Sequence, residues 1–186
     1  MIQTKMWRWF FNRRWVFLRR ELLILQIEIE NPKEDMALEI EHKFLVEEDS
    51  YIEMAVEVRE IRQGYLQRDP ARTVRVRTVG DRGYVTVKGI TVGDTRREYE
   101  YEIPVADARD MLAMCLPPVI EKRRYVVPFA GKIWEVDRFG GPLAPLVTAE
   151  IELSEPGEHY EMPPFVGREV TGDPAYYNSS LGTPRS

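Results

Sequence analysis

Charged residues at every second position are the feature of this chain whose spacing could do chemistry. Glu39-x-Glu41-x-Lys43, Arg75-x-Arg77, Thr86-x-Lys88, Arg96-x-Glu98-x-Glu100-x-Glu102, Lys122-x-Arg124, Glu135-x-Asp137 and Glu150-x-Glu152 all follow the two-residue period of a β-strand. The intervening positions are mostly apolar, among them Ile40 and Phe44, Val74 and Val76, Val85 and Val87, Tyr99 and Tyr101, Trp134 and Val136, and Ala149 and Ile151. In an antiparallel sheet such alternation commonly means one face on the core and one in water. For any single strand that reading suffices. It strains when all the strands are taken together, because a solvated face mixes Lys, Glu, Thr, Ser and Gln loosely. Here the face repeats pure charge, strand after strand. The other arrangement puts the charges inside a wide barrel and the apolar residues outside. Buried like charges are prohibitive unless the cavity is wet and binds charge of both signs. Carboxylates hold divalent metal and cations hold phosphate oxygens, so such a lumen suits a chain of phosphates with one or two metal ions.

The elements that position these residues read as strands over Leu38–Val46, Thr73–Val79, Gly83–Lys88, Arg96–Ile103, Lys122–Val127, Ile133–Arg138 and Val147–Leu153, with a further short one near Ile61–Leu66. Gly80-Asp81-Arg82-Gly83 and Phe129-Ala130-Gly131-Lys132 read as hairpin turns. A helix is predicted from Ser50, where Ser50-x-x-Glu53 forms a capping box ahead of Ile52, Ala55 and Val56. A second helix follows Pro104, with Val105, Ala108, Met111, Leu112 and Cys115 on one face and Pro117-Pro118 as its stop. Antiparallel strands with two helices and no βαβ rhythm predict a mainly β, α+β fold. The expected form is a barrel of seven or eight antiparallel strands with a charged lumen and helices packed outside.

The whole chain bounds what this barrel could do. It has 186 residues and a formal charge of −5, which argues against general affinity for nucleic acid. Cys115 is the single cysteine, so disulfides and cysteine-held zinc are excluded and the chain reads as cytoplasmic. With His42 and His159 as the only histidines, a metal here must be held by carboxylates. No apolar run is long enough to span a bilayer. Residues 1–35 stand apart as an N-terminal extension from a domain over residues 36–186. The extension carries Trp7, Trp9 and Trp15 with Arg13-Arg14 and Arg19-Arg20, and a basic aromatic helix over residues 1–25 is suited to contact a membrane surface. The favoured reading is a start at Met36, since Lys33-Glu34-Asp35 is encodable by a purine-rich run like a ribosome-binding site.

Glu39-Ile40-Glu41-His42-Lys43 carries the ExExK signature of the CYTH superfamily, the triphosphate tunnel metalloenzymes, and the chain resembles in particular its bacterial single-domain inorganic triphosphatases. The resemblance continues in order through Gln63-Gly64-Tyr65-Leu66, Val74-Arg75-Val76-Arg77, Thr86-Val87-Lys88, Arg96-x-Glu98-Tyr99-Glu100, Glu121-Lys122-x-Arg124-Tyr125, Glu135-x-Asp137, Glu150-x-Glu152 and Gly167-x-Glu169-Val170-Thr171 with Tyr176-x-Asn178. A lone ExExK occurs by chance; this many elements in order are specific. The resemblance implies an eight-stranded antiparallel β-barrel tunnel with a charged lumen and, inside it, metal-dependent cleavage of the terminal phosphate of a triphosphate, inorganic tripolyphosphate first. It implies Glu39, Glu41, Glu150 and Glu152 as ligands of Mg²⁺ or Mn²⁺, the metals that oxygen donors favour. It implies Lys43, Arg75, Arg77, Lys88, Arg96 and Arg124 as the cradle for phosphate oxygens, and Lys122 and Tyr65 as the acid–base pair.

Glu98 and Glu100 are either further metal ligands or partners that neutralise the arginines, and Glu135 and Asp137 either ligands or groups that orient the basic residues. The sequence departs from the pattern of the family it resembles at Tyr177, where a lysine is common, and at His42, which faces outward in a strand whose glutamates face in. Two rival functions remain: a class IV adenylyl cyclase in the same fold, releasing cyclic AMP and pyrophosphate from ATP, and a non-catalytic polyphosphate-binding module. Thiamine triphosphate is an alternative substrate within the hydrolase reading. The expected assembly is a monomer or a homodimer.

Overall fold

Closure of the sheet is what turns the alternating strands into a vessel. The structure, a computed structural model, describes residues 38–182. The expected extension over residues 1–35, its surface helix and the start at Met36 lie outside the described residues. The chain forms β1 (Leu38–Val46), α1 (Tyr51–Met54), β2 (Glu57–Gln67), β3 (Arg72–Val79), β4 (Arg82–Gly89), β5 (Thr95–Ile103), α2 (Val105–Ala113), β6 (Leu116–Phe129), β7 (Lys132–Phe139), β8 (Val147–Glu152) and β9 (Val166–Glu169). Eight of these strands hydrogen-bond in the antiparallel order β5-β4-β3-β2-β6-β7-β8-β1, and β5 returns to β1 through Glu39↔Arg96. This closed eight-stranded barrel leaves no free edge around its wall. The short β9 adds to β1 at Phe44 and Val46, beyond the residues that β5 pairs.

Burial decides between the two readings of the alternation. Phe44, Tyr125, Val127, Trp134, Val136, Ala149 and Ile151 form one apolar cluster on the outer wall, covered by Tyr51 of α1 and by Phe165 from the C-terminal segment. Val76, with Leu66 and Val85, forms another under Ala108 and Leu112 of α2. The opposite faces of the same strands carry Lys43, Arg75, Lys88, Lys122, Arg124, Asp137 and Glu150, all buried. The charges are therefore inside. Part of the outer wall stays bare: Tyr99 and Tyr101 of β5 are 40% and 60% exposed beside Val87 of β4. Alternation also turns Tyr65, Ile120 and Phe139 inward, where Leu181 joins them in an apolar plug. Among the described residues no helix is long and apolar enough to cross a membrane.

Three local expectations are corrected. The capping box is not formed: Ser50 has helical φ −59° and ψ −24°, and its hydroxyl donates instead to Glu48 Oε1 at 2.7 Å. A side-chain N-cap needs an extended residue there. The resulting helix is four residues long and buries Tyr51, while Ile52 stays exposed. Pro117-Pro118 do not stop α2, which ends at Ala113; they are the second and third residues of β6, where the ladder with β2 shifts register. A residue without an N–H fits such a shift. The expected short strand near Ile61–Leu66 is the eleven-residue β2, which brings Arg59 onto the lumen face. The turn between β6 and β7 is tight, with Ala130 and Gly131 both at positive φ (47° and 79°), as a two-residue hairpin loop requires.

Candidate active site

β1 supplies three alternating lumen residues, and its two neighbours decide their partners. Glu39 accepts from Lys88 Nζ at 3.0 and 3.2 Å and also pairs with Arg96 of β5. Burial pushes the Glu39 carboxyl up, but the Lys88 and Arg96 cations outweigh it and hold the group well below the usual range. On the other edge, Glu41 stands across from Glu152 and Lys43 across from Glu150. Lys43 Nζ meets Glu150 at 2.7 Å and Glu41 at 3.7 Å. Burial and then the Glu150 charge push the Glu41 carboxyl up to about 7, with Lys43 opposing. Glu150 goes the other way: burial raises it, yet Lys43 and Arg124 hold it below the usual carboxylate range. Two acids on neighbouring strands are thus shifted in opposite directions, Glu41 upward by burial and the Glu150 charge and Glu150 downward by Lys43 and Arg124.

The basic wall is paired throughout. Arg75 donates to Thr86 Oγ1 at 3.1 Å and Glu100 at 3.2 Å, and lies 3.5 Å from Glu98. Arg77 reaches Glu100 at 2.7 Å, and Lys88 reaches Glu98 at 2.6 Å. Arg124 forks onto Asp137 at 2.7 and 2.6 Å, touches Glu135, and reaches Glu150 at 2.9 Å. Asp137 also accepts from Lys122, a buried pair across the β6–β7 ladder. Burial pushes the Lys122 ammonium down to about 8; Asp137 opposes this and Arg124 adds to it. Burial pushes the Tyr65 phenol up, so it holds its proton at neutral pH.

These groups divide between two levels of the lumen. Glu39, Glu41, Lys43, Tyr65, Arg75, Lys88 and Arg96 line one cleft, together with Thr91 and Asp94 from the β4–β5 connection and Thr171, Tyr177 and Asn178 from the C-terminal segment. Arg77, Lys122, Arg124, Glu135, Asp137 and Glu150 are not in its lining, and the last four join it through the chain Arg124–Glu150–Lys43. Glu152 is exposed at the end of β8. Glu98, Glu100, Glu135 and Asp137 each face lumen cations. His42 points outward as expected, with Nδ1 2.7 Å from the Tyr160 hydroxyl. Tyr177 donates its hydroxyl to the Gly172 carbonyl at 3.1 Å, which fixes it at the cleft wall. Cys115 packs in the outer cluster under α2.

Sequence reasoning missed Arg59, which shares the lumen face of β2 and interacts electrostatically with Glu135 and Arg124. The outward positions that follow it, Glu60 and Arg62, are charged, so no apolar beat marks the strand there. Asp94 and Thr91 were also missed, since a loop carries no periodic signal.

The donor set suits a hard divalent cation. Among the described residues no three Asp, Glu, His or Cys side chains already converge as an ion cage. Burial, followed by the charges of Glu150 and Glu39, nevertheless pushes the Glu41 carboxyl up, and a bound cation would offset that cost.

A CYTH domain model matches residues 37–179. The chain is 51% identical over 147 residues to an inorganic triphosphatase of Acetivibrio thermocellus, covering 78% of this chain and 94% of that one. It is 35% identical over 148 residues to an inorganic triphosphatase of Nitrosomonas europaea, covering 77% and 95%. A crystal structure of an inorganic triphosphatase superposes with a TM-score of 0.54 at 32% identity, over 77% of this chain and 93% of that one.

Proposed function

This chain belongs to the CYTH domain family, and from that premise we propose that it is a triphosphatase, adding water to inorganic tripolyphosphate and releasing orthophosphate and pyrophosphate. The observation that carries the reading is the β1–β8 register, in which Glu41 faces Glu152 at the end of β8 and Lys43 faces Glu150, the latter pair buried inside the closed wall. Metal-binding carboxylates and a phosphate-binding cation are thereby adjacent by construction.

Lys43, Arg75, Lys88 and Arg96 cradle the phosphate oxygens in the cleft, with Arg77 and Arg124 deeper in the lumen. They replace the hydration of a highly charged anion with fixed donors, which is what phosphoryl transfer needs most. Glu39, Glu41, Glu150 and Glu152 would hold the divalent cation, Mg²⁺ or Mn²⁺ by donor type, which when bound would supply charge neutralisation and Lewis acidity. Tyr65 donates its hydroxyl proton in a hydrogen bond to a phosphate oxygen. Lys122, in its neutral form, takes the proton of the attacking water at Nζ. Glu98 and Glu100 keep Arg75 and Arg77 in place between turnovers, and Asp137 and Glu135 do the same for Lys122 and Arg124.

The test is phosphate release from tripolyphosphate, ATP and pyrophosphate with Mg²⁺, with Mn²⁺ and with chelator. Metal-dependent release from tripolyphosphate is expected. Cyclic AMP and pyrophosphate from ATP, with no release from tripolyphosphate, would turn the assignment to a cyclase. Tight tripolyphosphate binding with no turnover in either metal would leave a binding module.

A further inference from the structure

Gln63 is wholly buried on the lumen face of β2, two residues before Tyr65. Its Nε2 donates to the Tyr65 hydroxyl at 3.2 Å, while its Oε1 has no partner among the described residues. A buried amide with an unpaired carbonyl is unfavourable, so its retention asks what the single bond to Tyr65 accomplishes. The strand is also held from behind: a Cβ on Gly64 would lie 2.7 Å from Cys115 Cβ and 3.3 Å from Leu112, so β2 sits tight under the end of α2 at this point.

A phenol O–H lies near the ring plane in one of two opposed directions, and its oxygen both accepts and donates. An amide N–H directed at that oxygen occupies one direction and leaves the proton the other. Tyr65 lines the cleft that holds Lys43 and Arg75, and burial keeps its proton on. We propose that Gln63 is a positioning residue for the triphosphatase reaction: by donating to Tyr65 it turns the phenol proton into the cleft, as a pre-aimed donor to a phosphate oxygen. The inference rests on the triphosphatase reading and goes beyond it by giving Tyr65 a fixed polarity. Such preorganisation acts on kcat, because the donor is already aimed when charge develops.

The experiment is a double-mutant cycle of Gln63→Met, which matches the side chain in length without the donor, and Tyr65→Phe. Gln63→Met is expected to lower kcat roughly tenfold or less, the scale of one neutral hydrogen bond, with KM nearly unchanged. In the Tyr65→Phe background the same change is expected to cost less than twofold. An equal loss in both backgrounds would overturn the proposal, since it would mean that Gln63 acts through packing. If Gln63→Met does not fold, Gln63→Leu takes its place; it too lacks the donor without adding charge, so it should likewise act only when Tyr65 is present. If wild-type protein releases no phosphate from tripolyphosphate, the triphosphatase reading fails. The cycle is then read on tripolyphosphate affinity by calorimetry in chelator, where weakening that needs Tyr65 supports the positioning role and weakening independent of Tyr65 overturns it.

Discussion

Lys43 on β1 and Glu150 on β8 are cross-strand partners whose side chains meet at 2.7 Å inside the barrel wall. The pair joins the cleft to the deeper network, because Glu150 also accepts from Arg124 at 2.9 Å. Removing one member of such a buried pair strands the other's charge. Lys43→Met is expected to lower stability by about 3 kcal/mol, the low end for a broken buried pair since Arg124 still holds Glu150. Adding Glu150→Gln should recover part of that stability without recovering turnover. Thermal unfolding alongside phosphate release measures both, and unchanged turnover in Lys43→Met would remove it from the phosphate cradle.

Glu41→Gln separates chemistry from folding. Glu41 lies among carboxylates, and its charge is disfavoured by burial and by Glu150. The neutral amide is therefore expected to leave the melting temperature equal or higher, while turnover falls by roughly two orders of magnitude or more through loss of a metal-held electrostatic contact. Manganese binding followed by calorimetry should weaken in parallel. Wild-type manganese affinity in this variant would take Glu41 out of the ligand set.

The Lys122 ammonium, pushed down to about 8 by burial, gives the pH dependence a sign. Its neutral form, the one able to accept a proton, grows as pH rises through about 8, so kcat is expected to rise there. Lys122→Arg, charged throughout, should lower kcat and flatten that limb. The same group affects stability: a lysine depressed in the fold disfavours the folded state below about 8, and the penalty fades between that value and the ordinary lysine range. A pH–rate profile that keeps its alkaline limb in Lys122→Arg would assign the proton transfer to another group.

Tyr177 guards the cleft by donating to the Gly172 carbonyl. Tyr177→Ala is expected to open this wall and raise kcat/KM for ATP relative to tripolyphosphate. Competition between the two substrates reads the ratio, and a constant ratio would show that the wall at Tyr177 plays no part in excluding a nucleoside.

Gly64→Ala tests the outer seal. The added methyl would meet Cys115 Cβ at 2.7 Å and Sγ at 2.8 Å, so a loss of about 1–3 kcal/mol is expected. Cys115→Gly should relieve the clash, making the double variant more stable than additivity predicts; chemical denaturation of the four proteins measures it.

Much of the fold was legible because a strand's two-residue period is written by backbone geometry alone. Glu39, Glu41 and Lys43 share a face whatever surrounds them, as do Glu150 and Glu152, and β1 runs over the predicted residues Leu38–Val46. Where no apolar beat marked the period the reading faltered, so β2 was truncated and Arg59 passed unnoticed. The capping motif at Ser50 failed for a related reason: it names residue types, but the bond depends on a backbone angle set by the surrounding chain. What the sequence determined by itself was which residues lie together on a face. Which face lies inside was decided by tertiary structure, through the return of β5 to β1 at Glu39↔Arg96 and the covering of Trp134 and Val76 by Tyr51, Phe165 and α2. So were the ion-pair partners, since Lys122 meets Asp137 and Arg124 meets Glu150 through ladder register and barrel curvature. Alternation is a property of each strand, but an interior exists only when distant strands close on one another.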